Sequence, residues 1–226
     1  MSNIATQKQV PDTRVFEGAL PDKLFDRLVA AVHAIGDERL KNNYTTTFWF
    51  PRGTQPRNVA EEAVVELARY ADPPPTCSGM EWWLGRLAFG EKLRYHFDRD
   101  MTIRKKVGQY VTPIYGSVMY LNSYPSSPTV ILNQVPSADG RSKIPAKAEV
   151  REVVTAVANR YLVFRGNIRH GVIPDTKAGH PPTQELRLTL LVNYWDRRPL
   201  PPICFDYDGK IYGDLADPRF FRAGKS

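Results

Sequence analysis

The chain has 226 residues, 42% of them hydrophobic and 24% charged, which one all-β domain can hold with material for a sizeable core. No stretch approaches the roughly 18 uninterrupted apolar residues of a membrane span, and the N-terminal Met1-Ser-Asn-Ile-Ala-Thr-Gln-Lys8 lacks the apolar core of a secretory signal. A single domain over 1–226 and a cytoplasmic location are therefore expected, with no membrane partner.

Lys and Arg exceed Asp and Glu by a net charge of +7, a balance that suits an anionic ligand. The cations are scattered rather than stacked in a run, which argues against a nucleic-acid partner. Cys77 and Cys204 have no neighbouring partner of the Cys-x-x-Cys kind, so neither a zinc site nor a disulfide framework is indicated.

Two amphipathic helices are expected in an N-terminal helical region over about 13–75. From Asp22, apolar residues fall at Leu24, Phe25, Leu28, Val29, Val32 and Ile35, a stripe of helical period closed by Gly36. His33 lies on the seam of this helix and reads as a packing or boundary residue. The second helix starts at Asn58, a capping residue with Glu61 three positions on as in a capping box, and its buried face is Val59, Ala63, Val64, Leu67 and Ala71. Pro73, Pro74 and Pro75 forbid its continuation.

The texture then changes. Runs at Trp82–Phe89, Ser117–Asn122, Thr129–Asn133, Val150–Val157, Tyr161–Phe164 and Leu186–Trp195 are rich in β-branched and aromatic residues and are separated by turn-forming clusters. Helices followed by strands describe a mainly β, α+β fold whose core, about 80–197, is a barrel or sandwich. The polar segment Pro174 to Pro182, with His180, reads as a loop. It and Asn43 to Pro56 are candidate mobile walls, and residues before about Thr13 and after about Asp217 read as tails.

Chemistry is carried by His96-Phe97-Asp98, by His170 and by Arg187. Side chains alternate along a strand, so His96 and Asp98 share a face while Phe97 points into packing. His170 follows the strand-like Tyr161-Leu-Val-Phe164, and a barrel can bring that strand's end opposite the first. Two imidazoles and one carboxylate are the side chains of the facial triad that holds non-haem Fe(II) with positions left open. On the run Arg187-Leu-Thr-Leu-Leu-Val-Asn-Tyr-Trp195, alternation puts Arg187, Thr189, Leu191 and Asn193 on one face. A guanidinium inside an apolar interior needs an anion, and a dicarboxylate would supply one.

The surroundings of these residues resemble a known family. Gly90-Glu-Lys-Leu93-Arg-Tyr-His96-Phe-Asp98 is similar to the Gly-x-x-Leu-x-x-His-x-Asp segment of the Fe(II)/2-oxoglutarate-dependent oxygenases. Tyr120-Leu-Asn122 and Phe164-Arg-Gly-Asn-Ile-Arg-His170 resemble strands of their prolyl-hydroxylase-like branch, and Arg187-x-Thr189 resembles their Arg-x-Ser/Thr signature. The likeness spans about 82–196, with its elements in the family's order.

What the resemblance implies is a double-stranded β-helix, or jelly roll, with the N-terminal helices packed outside one sheet. It also implies metal ligands His96, Asp98 and His170, and 2-oxoglutarate held by Arg187 with Thr189 and Tyr120 as further donors. Fe(II), 2-oxoglutarate and O2 would be the cofactors, with ascorbate in support. The product would be an oxidised C–H bond in a small-molecule substrate, an amino acid or natural-product intermediate, with succinate and CO2 released. Asp98 disfavours halogenation, for which the family has Gly or Ala at that place.

The chain departs from the family at Ser126-Ser-Pro-Thr129, where many hydroxylases have Gly-Gly-Glu-Thr in a turn, and at Leu87, where some have Tyr. Asn193 stands where alkylation-repair demethylases carry a second Arg. Two other readings remain open: the same centre acting on a protein side chain or nucleic-acid base, and a non-catalytic jelly-roll binding module. Trp82, Trp83 and Trp195 read first as core and second as pocket walls. Arg94, Arg165 and Arg169 flank the ligand positions, either as contacts for an acidic substrate or as a solvated face.

Overall fold

The computed structural model describes residues 13–175, 186–200 and 204–215. In chain order its elements are β1 (Thr13–Phe16), α1 (Asp22–Ile35), α2 (Asp37–Asn42), β2 (Thr47–Pro51), α3 (Val59–Ala71), β3 (Gly79–Leu87), β4 (Leu93–His96) and α4 (Met101–Val107). There follow β5 (Tyr115–Tyr120), β6 (Tyr124–Leu132), β7 (Val135–Pro136), β8 (Lys143–Ile144), β9 (Val150–Ala156), β10 (Tyr161–Arg165), β11 (His170–Val172), β12 (Arg187–Trp195) and β13 (Cys204–Asp206). Among the described residues no helix is long and apolar enough to cross a membrane.

Seven strands in the order β1-β10-β5-β12-β3-β2-β13 form a major sheet, and four in the order β4-β11-β6-β9 a minor one. Strands distant in sequence are neighbours in space, which is the connectivity of a jelly roll, or double-stranded β-helix. The sheets pack through Val118 and Tyr120 of β5, Leu162 and Phe164 of β10, Ile131 of β6 and Val154 of β9. This is the mainly β, α+β fold expected from the sequence.

Helices α1 and α3 cover the other face of the major sheet. Leu24, Leu28, Val32 and Ile35 of α1, with the expected face of α3, form one buried cluster with Trp82, Leu84, Met119, Leu188, Leu190 and Val192. Each large apolar side chain removed from water contributes about 1.5–3 kcal/mol, so this layer is a principal source of stability. The Asn58 side chain accepts from the Glu61 N–H at 2.9 Å, as a cap should. The Glu61 carboxylate, however, reaches past Asn58 to Arg57, accepting from its backbone N–H at 2.7 Å and its guanidinium at 2.6 Å. The capping box is thus displaced by one residue.

Some expectations are corrected. Asn43 to Pro56 is not a mobile wall throughout, because β2 lies within it, paired to β3 with Phe48, Trp49 and Phe50 buried. Three consecutive large apolar residues offer no alternation by which to recognise a strand. The strand expected from Thr129 starts earlier, at Tyr124, so Ser126 to Thr129 form the middle of β6, whose register against β9 shifts between Tyr124 and Thr129. His33 is exposed rather than packed. Helix α4 was invisible in the apolar pattern because it buries none of its residues. Its start is fixed by Asp100, whose carboxylate accepts from the N–H groups of Thr102 and Ile103 at 3.0 and 2.9 Å. The loop from residue 176 onward, with His180, and the two tails lie outside the described residues.

Candidate metal centre

Strands β4 and β11 run antiparallel with His96 directly opposite His170. Opposed residues on one face of a strand pair are close neighbours, and here the ring centroids are 4.5 Å apart. Strand β4 ends at His96 and Phe97 turns inward, 3% exposed, against Tyr110. Asp98 consequently returns to the histidine side. Its Oδ1 lies 3.3 Å from His96 Nε2 and its Oδ2 3.7 Å from His170 Nε2. One ligand atom from each residue falls within 4.8 Å of the other two.

Both Nδ1 atoms face backbone carbonyls, His96 that of Arg94 at 2.9 Å and His170 that of Ile168 at 3.0 Å. With Nδ1–H donating to those carbonyls, each ring directs its Nε2 toward Asp98, the atom that ligates a metal once it is unprotonated. Burial would raise the Asp98 carboxyl, but the adjacent His170 and His96 outweigh it and bring it to about 2. Burial pushes His170 down to about 4. For His96 burial also acts downward, but the hydrogen bond to Asp98 and its charge prevail, and the net shift is upward. Two imidazoles and one ionised carboxylate facing a common point fit a divalent first-row ion with coordination positions to spare.

Next to this cluster an inner cavity of about 150 Å3 is lined by Gly85, Thr129, Phe164, His170, Arg187 and Thr189. At about 10–15 Å3 for each water-sized sphere it holds roughly ten of them, the bulk of a short-chain diacid. Arg187 is 4% exposed, and its Nη2 donates to Thr129 Oγ1 at 2.9 Å. Its buried Nε has no acceptor, no carboxylate pairs with it among the described residues, and burial pulls its pKa down. The Tyr120 hydroxyl also donates to Thr129 Oγ1, at 2.8 Å, and its ring lies 5.2 Å from the guanidinium carbon. Two donors into one oxygen leave the Thr129 hydrogen free to donate in turn.

The backbone around Arg187 is held by Asn122, which accepts from Leu188 N–H at 3.0 Å and donates to Leu186 carbonyl at 2.8 Å. Gly85 lies opposite Thr189 on β3. A Cβ there would collide with Thr189 Oγ1 and come 2.6 Å from Leu191 Cδ1.

On the other side of His96 and Asp98 an outer cavity of about 580 Å3 is lined by Tyr44, Glu81, Trp83, Asn193 and residues of α4. Tyr44 and Trp83 line both cavities. The Asn193 amide is hydrogen-bonded to both Asp98 and Glu81. Burial pushes Glu81 up to about 7 although Thr47 and Trp195 donate to it at 2.7 and 2.9 Å. Of the three tryptophans considered, only Trp83 borders the cavities, since Trp82 packs on Phe48 and Trp195 holds Glu81. Arg94, Arg165 and Arg169 line neither cavity, and Arg169 donates to Gln134 at 2.6 Å. Thr129, Tyr44 and Glu81 were missed from the sequence. Only the Glu81–Trp83 alternation on a strand facing β12 could have flagged any of them.

No family model matches the sequence, and no curated protein does. Among solved structures the chain is similar to a Pseudomonas putida prolyl-4-hydroxylase, at 17% identity over 82% of this chain and 93% of that one, with a TM-score of 0.49. It is similar to AviO1 from Streptomyces viridochromogenes Tue57, at 18% identity over 84% and 92%, TM-score 0.47. A third is HygX from Streptomyces hygroscopicus with nickel, 2-oxoglutarate and hygromycin B bound, at 12% identity over 81% and 82%, TM-score 0.48.

Proposed function

We propose that the chain is an Fe(II)- and 2-oxoglutarate-dependent oxygenase that oxidises a C–H bond of a small molecule. The observation that carries this reading is the pairing of the His96, Asp98 and His170 cluster with a buried guanidinium that has no carboxylate partner among the described residues, facing the adjoining inner cavity. His96, Asp98 and His170 would hold the metal. When bound, the metal and the keto acid supply the oxidation, with 2-oxoglutarate converted to succinate and CO2 as O2 is consumed.

The remaining work falls to the chain's own side chains. The Arg187 fork and the Thr129 hydroxyl bind the distal carboxylate, with Thr189 beside them and Tyr120 fixing Thr129. Phe164 and Leu191 keep that end dry, which strengthens each charge-assisted hydrogen bond. Asn193 holds the Asp98 carboxylate in orientation. Trp83 and Tyr44 separate the two cavities, so the substrate is presented from the outer one, whose volume suits a metabolite. Protein supplied with Fe(II) and ascorbate should release succinate from 2-oxoglutarate, and faster with a true substrate in a metabolite library. Failure to form succinate with any candidate would sink the reading.

A further inference from the structure

We infer that the outer cavity takes a small molecule with an apolar body and an anionic group, a carboxylate or phosphate, held by Arg99, Lys105 and Lys106. This rests on the oxygenase reading and adds the chemistry of its substrate. Trp83, Phe97 and Met101 supply the apolar wall. Five charged side chains other than the histidines line the cavity: Glu81, Asp98, Arg99, Lys105 and Lys106. Both acids are already matched, Asp98 by the two histidines and Asn193, and Glu81 by Thr47, Trp195 and Asn193.

The cations are not matched. Among the described residues no carboxylate pairs with Arg99, Lys105 or Lys106. The Arg99 guanidinium donates to the Phe97 carbonyl at 3.4 Å and lies 5.7 Å from the Tyr110 ring, and its Nε is buried without an acceptor. Arg104 differs: it stacks 4.0 Å over Tyr110 and donates to the Gly108 carbonyl. The C-terminal dipole of α4 explains lysines in its last turn, but Arg99 precedes the helix. A neutral ligand would leave the Arg99 N–H groups wanting, whereas an oxyanion meets their fork geometry. The exposed Lys105 and Lys106 add attraction at the mouth.

The test uses the full chain loaded with Mn(II) and saturating 2-oxoglutarate, whose own binding is measured first. The probes are 3-phenylpropanoate and phenyl phosphate, against uncharged 3-phenylpropanamide and benzyl alcohol, with binding read by ligand-observed NMR. At least one charged probe should bind about tenfold or more tighter than its neutral counterpart, as a charge-assisted hydrogen bond implies. The probe favoured distinguishes carboxylate from phosphate.

That preference should disappear in Arg99→Gln/Lys105→Gln/Lys106→Gln and shrink in Lys105→Gln/Lys106→Gln, which touches only exposed side chains. Charged and neutral probes binding alike, or no charged probe binding at millimolar concentration, overturns the inference while normal 2-oxoglutarate affinity leaves the metal-centre reading standing. A single-stranded oligonucleotide binding far more tightly than either probe overturns it in favour of a polymer. Absent 2-oxoglutarate binding instead defeats the oxygenase reading itself.

Discussion

Along β12, Leu188, Leu190, Val192 and Tyr194 face α1 and α3, while Arg187, Thr189, Leu191 and Asn193 face the cavities between the sheets. Strand β3 divides in the same way, with Met80, Trp82 and Leu84 toward the helices and Glu81, Trp83 and Gly85 toward the cavities. On the helix side polar atoms find partners, as when the Tyr161 and Tyr194 hydroxyls meet at 2.9 Å, and of these two strands only the Trp82 indole N–H goes unmatched there. On the cavity side Arg187 Nε and Asn193 Oδ1 have none among the described residues. One face is closed by its own residues and the other lines the proposed binding cavities, so substitutions on the two should separate stability from binding.

The sharpest break should come at the centre itself. Asp98→Ala is expected to lower succinate release by about a thousandfold or more, which is ~4 kcal/mol of activation free energy, with a smaller loss of stability at neutral pH, up to about 2.5 kcal/mol, because the histidines that hold the carboxyl near 2 lose their partner. On the helix face, Leu190→Ala empties a fully buried position and should cost about 2–5 kcal/mol in urea unfolding. The protein that remains folded should bind Mn(II) as the parent does. The reverse pattern for either variant would erase the distinction between faces.

Glu81 offers a pH-resolved test. Its folded pKa of about 7 exceeds the ordinary 4.5 because of burial, so between those values the folded chain holds a proton that the unfolded chain has released. Stability from this group is full below about 4.5 and falls as pH rises through about 7, by ~3 kcal/mol at most. Glu81→Gln should flatten that part of the denaturation profile between pH 5 and 8. An unchanged slope would remove Glu81 from the account. The smallest effect is expected from Gly85→Ala, whose methyl group must displace Thr189 or Leu191. Overpacking of about 1–3 kcal/mol should weaken 2-oxoglutarate binding in calorimetry while leaving Mn(II) binding intact.

The legible parts of the molecule were those with a period. The stripes of α1 and α3, and the alternation that set Arg187, Thr189 and Asn193 on one face of β12, follow from helix and strand geometry. His96 and Asp98 were readable as a pair because one intervening residue returns the chain to the same side. Strand β2 was hidden because Phe48, Trp49 and Phe50 are all buried, and α4 because it rests on one Asp100 cap. Thr129 was readable as the start of a strand, but not as a site residue, because nothing local tells that β6 carries it beside Arg187. Such contacts across 58 residues depend on sheet order, which local pattern does not encode.

Arg187 lines the inner cavity together with His96, Asp98 and His170, and is the proposed receiver of a keto diacid. Calorimetric titration of 2-oxoglutarate into Mn(II)-loaded protein tests this directly, comparing the parent with Arg187→Ala and His170→Ala. The account predicts binding that weakens by about 2–4 kcal/mol in Arg187→Ala, as truncating one partner of a buried charge pair does, and that vanishes with the metal in His170→Ala. Equal affinity in the parent and Arg187→Ala would contradict it.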